Sequence, residues 1–210
     1  MSGQSRPQQG EMITMFTDTY RAANAGGRQP PWDWQAPHPH LVRWVRENKI
    51  SGSGRSAMIV GCGYGDDAAF VASLGFRTTG FDYVADAIEG ARRRHPDAGF
   101  DLRVADLFAL PPEWNGAFDL VVESLTVQSI PREQRSDATA AIARLAAPGG
   151  TVLVIASALD DAVREPGPPW PLDRADVERF GEYGLEPIAI NRWERPDRPD
   201  LSPWLAEFRR

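Results

Sequence analysis

The sequence is poor in thiols, in histidine and in long apolar stretches. Cys62 is its single cysteine, and one thiol closes no internal disulfide, so the disulfide-stapled secreted class is excluded and a reducing compartment fits. Thiolates cannot build a metal cluster here either, and three histidines offer little more, so no metal is expected. No run approaches the roughly 20 apolar residues of a membrane span, and the opening MSGQSRPQQGEM has no signal-like apolar core behind its arginine. Positive charge is also scarce. The 23 Lys and Arg stand against 29 Asp and Glu, and a net −6 lacks the electrostatic footprint that a phosphate backbone requires. A cytoplasmic protein with neither nucleic acid nor membrane as a partner is expected. With 42% hydrophobic and 25% charged residues, a 210-residue chain can bury one core of ordinary size.

From Ser56 onward, short β-branched or apolar runs alternate with helical patterns, the rhythm of an α/β fold whose parallel sheet is flanked by helices. Strands are predicted at 57–60, 78–82, 101–105, 120–123 and 151–155, with helices at 67–74, 84–93 and 132–145 between them. The last of these helices follows Pro131 and stops before Pro148-Gly149-Gly150. Further on, a Pro-rich loop over 165–171 precedes a helix near 174–180, and segments 187–193 and 204–210 suggest a hairpin added to the sheet edge. In front of the sheet, residues 11–55 are read as a helical lid, and residues 1–10 as a disordered polar tail; the main domain is 56–210.

Four motifs carry chemistry. In Gly61-Cys62-Gly63-Tyr64-Gly65-Asp66 a strand runs through alternate glycines into a helix, where glycine lets a ligand approach the backbone amides. A dinucleotide fingerprint would place its third glycine at Asp66, and an acid at that point repels a diphosphate. Asp82-Tyr83 ends the next strand, and a carboxylate there can accept from both hydroxyls of an adenosine ribose, whether of NAD or of another nucleoside. Asp106 suits an adenine amino group, with Leu107 and Phe108 as apolar surface for the purine. Glu123-Ser124 closes the strand Phe118-Asp-Leu-Val-Val, where Glu123 can serve as a weak base or polar anchor.

The order of these motifs, continued by Leu145-Ala-Ala-Pro-Gly-Gly-Thr-Val-Leu, resembles the class I S-adenosylmethionine (SAM) methyltransferases over roughly residues 56–156. Pro31-Trp32-Asp33 and Gly167-Pro168-Pro169-Trp170 narrow the resemblance to the thiopurine and thiol/halide methyltransferase branch. Two departures stand out: the branch's P-W-D-x-G continues here as Trp34-Gln35, and Ile59 replaces an acid two residues before the first glycine.

The resemblance implies a Rossmann-like seven-stranded, mostly parallel sheet with helices on both faces and its last strand antiparallel. It implies SAM as cofactor, held by Gly61, Cys62, Gly63 and Gly65 at the methionine part, Asp82 and Tyr83 at the ribose, and Asp106 with Leu107 at the adenine. Glu123 borders that site and Trp32 encloses it from the lid. Phe16, Tyr20, Trp34, Ser124 and Trp170 are expected to wall a flat, apolar acceptor. In-line methyl transfer depends mainly on alignment and exclusion of water, and where a base is needed the candidates are Glu123, His38 and His40. His95, after Arg92-Arg93-Arg94, is read as a solvated partner of a helix dipole. The expected activity is methylation of sulfur or oxygen on a small apolar or aromatic molecule. Its rivals are a SAM-binding protein without catalysis and a nicotinamide-dependent oxidoreductase.

Overall fold

The computed structural model describes residues 6–158, 168–193 and 203–210. Two compact units emerge, one up to Ala109 and one from Leu110 onward, so the division falls inside the main α/β region and the lid segment belongs with the first strands. The sheet has seven strands.

In the first unit, α1 (Arg6–Asn24) and α2 (Pro39–Glu47) precede β1 (Ser56–Val60), α3 (Asp66–Ser73), β2 (Arg77–Asp82), α4 (Ala85–Arg94) and β3 (Asp101–Val104). The strands lie in the order β3-β2-β1, all parallel, with Ala57 opposite Thr78 and Gly80 opposite Leu102. β1 reads as a continuous apolar run because both its faces are covered, and Ala57 to Val60 are all buried. α2 buries Leu41, Trp44 and Val45, the i, i+3, i+4 stripe of an amphipathic helix. α1 begins at Arg6, inside the stretch read as a tail. Pro7 falls in its first turn, where a missing amide hydrogen leaves no bond broken, and the helix gains by burying Tyr20 and Ala23.

The second unit holds β4 (Phe118–Ser124), α5 (Arg135–Leu145), β5 (Ala146–Ser157), α6 (Arg174–Glu178), β6 (Glu186–Arg192) and β7 (Pro203–Arg209), in the strand order β4-β5-β7-β6. β4 and β5 are parallel, with Val122 opposite Leu153; β7 runs antiparallel to both β5 and β6. The terminal hairpin therefore extends the sheet as expected. Buried and half-buried residues alternate along β7, the period-two pattern of an antiparallel strand. Phe208 of this strand stacks on Phe180 with ring centres 5.4 Å apart.

Two boundaries differ from the sequence reading. Residues 132–134 form a turn of 3₁₀ helix, and α5 proper starts at Arg135. Pro148-Gly149-Gly150 lies within β5 rather than before it. Phe118 pairs with Ala146, and the register then jumps to Leu120 opposite Thr151, so the Pro-Gly-Gly segment bulges out of the ladder. A Cβ at Gly150 would sit 2.8 Å from the carbonyl oxygens of Ala147 and Phe118.

Candidate functional site

In the first unit the site begins where β1 ends. Gly61, Gly63 and Gly65 all have positive φ, and Gly65 at 82° leads directly into α3. Asp82, the last residue of β2, is buried, and it organises this loop: its Oδ2 accepts from the Gly63 amide at 3.0 Å and its Oδ1 from the Val84 amide at 2.9 Å. Burial pushes the Asp82 carboxyl above its ordinary range, against the pull of the amides of Val84, Gly63 and Tyr83. A carboxylate has about four acceptor positions, so each oxygen retains capacity for a further donor. A buried acid whose two amide bonds do not offset its desolvation fits a ligand that brings a pair of hydroxyls. Tyr83 is exposed, and Cys62 is buried with its thiol pKa raised well above the ordinary value, chiefly by burial. Asp106 caps its own turn, accepting from the Phe108 amide at 2.9 Å, while Leu107 is buried and Phe108 exposed.

Side chains of α1 and of the segment after it, read from the sequence as a lid, converge on this loop. Trp32 donates from Nε1 to the Tyr20 hydroxyl at 2.9 Å, and the rings of Phe16, Tyr20 and Tyr64 meet Trp32 or each other edge to face at 5.1–5.9 Å. A Cβ on Gly63 would lie 3.0 Å from the Tyr20 hydroxyl, so α1 rests directly on the glycine turn. Burial, reinforced by the charge of Asp82, holds the Tyr20 phenol well above its usual pKa. On the other side of Tyr64, a Cβ on Gly90 of α4 would come within 2.2 Å of the ring, which only glycine permits.

Arg94, the last residue of α4, secures the segment between α1 and α2. It forms a fork with Asp33, 2.8 and 2.7 Å, reaches Asp66 at 2.5 Å, and lies 4.4 Å above the Tyr64 ring. Burial alone would raise the Asp33 carboxyl, but the bonds from Arg94 and the Gln35 amide bring it below the ordinary range. Gln35, where the resemblance calls for glycine, takes φ 53°, the left-handed conformation a glycine would adopt. The sequence reading missed Arg94 because it sits 61 positions from Asp33 in a run of three arginines. His95 is not a solvated dipole partner; its Nε2 lies 3.2 Å from Asp66 and its ring meets Phe100.

The histidines of the lid have structural posts. His38 is the N-cap of α2, its Nδ1 accepting from the His40 amide at 3.2 Å, while its own amide donates to Asp67. Its ring stacks on Trp34 at 4.7 Å, and burial lowers its pKa to about 4. A neutral ring already engaged through Nδ1 makes a weak general base. Trp34 is half exposed, with His38 as its stacking partner. His40 is half-buried beside it, 5.4 Å from His38 between ring centres.

In the second unit, Glu123 is fully buried near the end of β4. Its Oε1 accepts from the amides of Thr126 and Val127 at 2.7 and 2.8 Å, its Oε2 has no partner among the described residues, and burial raises its pKa to about 7. Ser124 is half-buried, and Leu125 takes φ 63° at the turn that follows. Trp170 is half-buried, with both its backbone groups bonded: its amide donates to the Gln128 carbonyl and its carbonyl accepts from Arg135. Gly167 of the G-P-P-W segment lies outside the described residues. Gln128 and Arg135 left no sequence signal, one being a lone polar residue in Thr-Val-Gln-Ser and the other part of a charged helix start. Among the described residues no group of three or more His, Cys, Asp or Glu is placed to hold a metal ion, and no helix is long and apolar enough to cross a membrane.

Residues 57–150 match the family described as a methyltransferase domain. The chain is 30% identical over 148 residues to a 2-heptyl-1-hydroxyquinolin-4(1H)-one methyltransferase of Mycobacteroides abscessus, an alignment that takes in 67% of this chain and 63% of that one. It thus spans just under two thirds of that relative's length. A probable thiol methyltransferase of Arabidopsis thaliana is 27% identical over 165 residues, covering 76% of this chain and 70% of its own. Among solved structures, the Burkholderia thailandensis 1,6-didemethyltoxoflavin N1-methyltransferase, with 1,6-didemethyltoxoflavin and S-adenosylhomocysteine bound, superposes with a TM-score of 0.76 at 14% identity, over 100% of this chain and 92% of that one. The matched segment, the glycine turn with its acid, and the seven-stranded sheet with an antiparallel last strand are what this chain shares with the SAM-dependent methyltransferases, and together they support a class I methyltransferase.

Proposed function

We propose that the protein transfers the methyl group of SAM to sulfur or oxygen of a small apolar or aromatic molecule. The observation that carries the cofactor half of this reading is Asp82: a buried carboxylate tied to the glycine turn, with acceptor capacity left on both oxygens. Gly61, Cys62, Gly63 and Gly65 would meet the methionine portion, Asp82 with Tyr83 the ribose, and Asp106 with Leu107 the adenine; Trp32 would cover them. When bound, SAM supplies an electrophilic methyl carbon on a sulfonium, displaced by the acceptor's lone pair as the thioether leaves.

The chain's own residues do little acid–base work under this reading. His38 is held neutral and is already capping a helix. Glu123, with one oxygen given to two amides, is left with Oε2 for a proton, at a pKa suited to a hydroxyl acceptor near neutrality. A thiolate acceptor needs no base at all. Within the first unit the aromatic side chains of Phe16, Tyr20 and Trp34, and within the second Trp170 and Ser124, are of a kind that suits a flat acceptor, in keeping with the hydroxyquinolinone and thiol named for the two relatives. A nicotinamide enzyme is disfavoured because Asp66, at the third-glycine position, is an acid paired with Arg94, with His95 Nε2 3.2 Å away.

Calorimetric titration with S-adenosylhomocysteine, with NAD and NADH as controls, tests the reading. Binding of the first alone in the micromolar range is expected, and Asp82→Ala should weaken it by about 1.5–3 kcal/mol, the worth of hydrogen bonds to a charged group. Binding of a nicotinamide without S-adenosylhomocysteine overturns the proposal. Binding without transfer to any thiol, phenol or hydroxyquinolinone would favour a non-catalytic SAM-binding protein.

A further inference from the structure

Behind the second unit's candidate residues lies a buried polar relay to which no role has yet been assigned. It starts at Glu123, whose Oε1 gathers the amides of Thr126 and Val127 and so turns the chain after β4. The next residue, Gln128, is buried and bonded at both ends: its side-chain Oε1 accepts from the Ser157 amide at 2.6 Å, and its carbonyl accepts from the Trp170 amide at 2.7 Å. From the other side Arg135, at 1% exposure, donates to the Trp170 carbonyl and forms an ion pair with Asp176 at 2.5 Å. Two residues further, the Leu172 amide donates to the Ser157 carbonyl at 2.9 Å.

Two of these bonds end on the backbone of Trp170, its amide donating to Gln128 and its carbonyl accepting from Arg135, and the others fix Gln128, Arg135 and the neighbouring Leu172 in turn. A buried Gln and a buried Arg are costly to keep, since each must lose its hydration and find partners of matching geometry. An apolar pair would close the same space more cheaply, so the return is in fixing one conformation. We infer that Gln128 and Arg135 are positioning residues that hold Trp170 in place as a wall of the acceptor site, with Glu123 setting the turn that aims Gln128. The inference rests on the proposed function for its account of what Trp170 meets. It assigns Gln128 and Arg135 an influence on acceptor recognition and none on cofactor binding, because the residues proposed to hold the cofactor lie in the first unit.

The test labels the full chain with 5-fluorotryptophan and assigns the Trp170 fluorine resonance by its loss in Trp170→Phe. Gln128→Leu removes the acceptor for the Ser157 amide at nearly constant volume; Arg135→Lys keeps the charge against Asp176 but loses the fork that reaches the Trp170 carbonyl. Both should shift or broaden the Trp170 signal while those of Trp32 and Trp44 stay unchanged, with S-adenosylhomocysteine affinity within twofold of the parent. With SAM and thiophenol as the probe pair, KM for the thiol should rise at least tenfold with kcat within threefold. Folded variants with an unmoved Trp170 signal overturn the inference and leave the cofactor reading intact. A parent protein that binds no S-adenosylhomocysteine overturns the proposed function, and the inference with it.

Discussion

Each unit of the molecule secures a functional segment with one arginine, and the two arginines are built differently. Arg94 holds the Trp32-Asp33 segment from a position where its side chain is 24% exposed, between two carboxylates and against the face of Tyr64. Arg135 holds the Trp170 segment with its side chain 1% exposed, bonded to Asp176 and a carbonyl, and with its Nε lacking a partner among the described residues. Burial lowers the Arg135 pKa against the attraction of Asp176, whereas hydrogen bonding to Asp33 raises that of Arg94. The first clamp therefore keeps its arginine partly in water while its carboxylate partner Asp33 is buried. The second buries both partners, so its charges have no water to turn to if the pair breaks.

The largest test of this contrast is Arg135→Met. Breaking a buried pair leaves Asp176 desolvated with only the half-exposed Arg179 as partner, and urea denaturation should show a loss of about 3–5 kcal/mol. A loss near zero would mean that the buried clamp is dispensable.

Next comes Glu123→Gln, followed by denaturation across a pH series. The folded carboxyl titrates at about 7 against an ordinary value of 4.5, so between those values the folded state holds a proton that the unfolded chain has released. That group's contribution is therefore most favourable below pH 4.5 and is lost as pH rises through 7. Glutamine has no charge to desolvate, so at pH 8 the variant should be more stable than the parent by up to about 3 kcal/mol, a gain that vanishes by pH 4.5. A constant difference across the series would remove Glu123 as its source.

The smallest effect is expected at the wetter clamp. Arg94→Gln should cost about 1–2 kcal/mol of global stability, less than at Arg135 because Arg94 is already partly in water, although Asp33 at 3% exposure loses its fork. Amide exchange should nevertheless speed up selectively around residues 31–37. Loss of stability as large as at Arg135 would make the two clamps equivalent.

Most of the scaffold was legible because its signals are local. Alternate glycines, the acids at or close to the ends of β2, β3 and β4, and continuous apolar strands named the fold and the candidate cofactor residues. The departure at Gln35 was visible as well, yet it leaves the backbone where glycine would have put it. What stayed hidden is pairing at a distance. Asp33 and Arg94, or Gln128 with Ser157 and Trp170, are joined only by the folded chain, and nothing about a lone Gln or a third arginine announces a partner tens of residues away. The histidines misled for the opposite reason: their local setting, Pro-His-Pro-His, reads as a loop, while the chain uses His38 to begin a helix.

Gly90 carries a different kind of consequence. With Tyr64 seated where a methyl group on α4 would be, the two positions are sterically coupled. A lineage that gains a side chain at 90 must give up the ring at 64, and with it the surface on which Arg94 rests. Divergence in this part of the molecule is thus constrained to paired steps, and drift at either position alone is closed off.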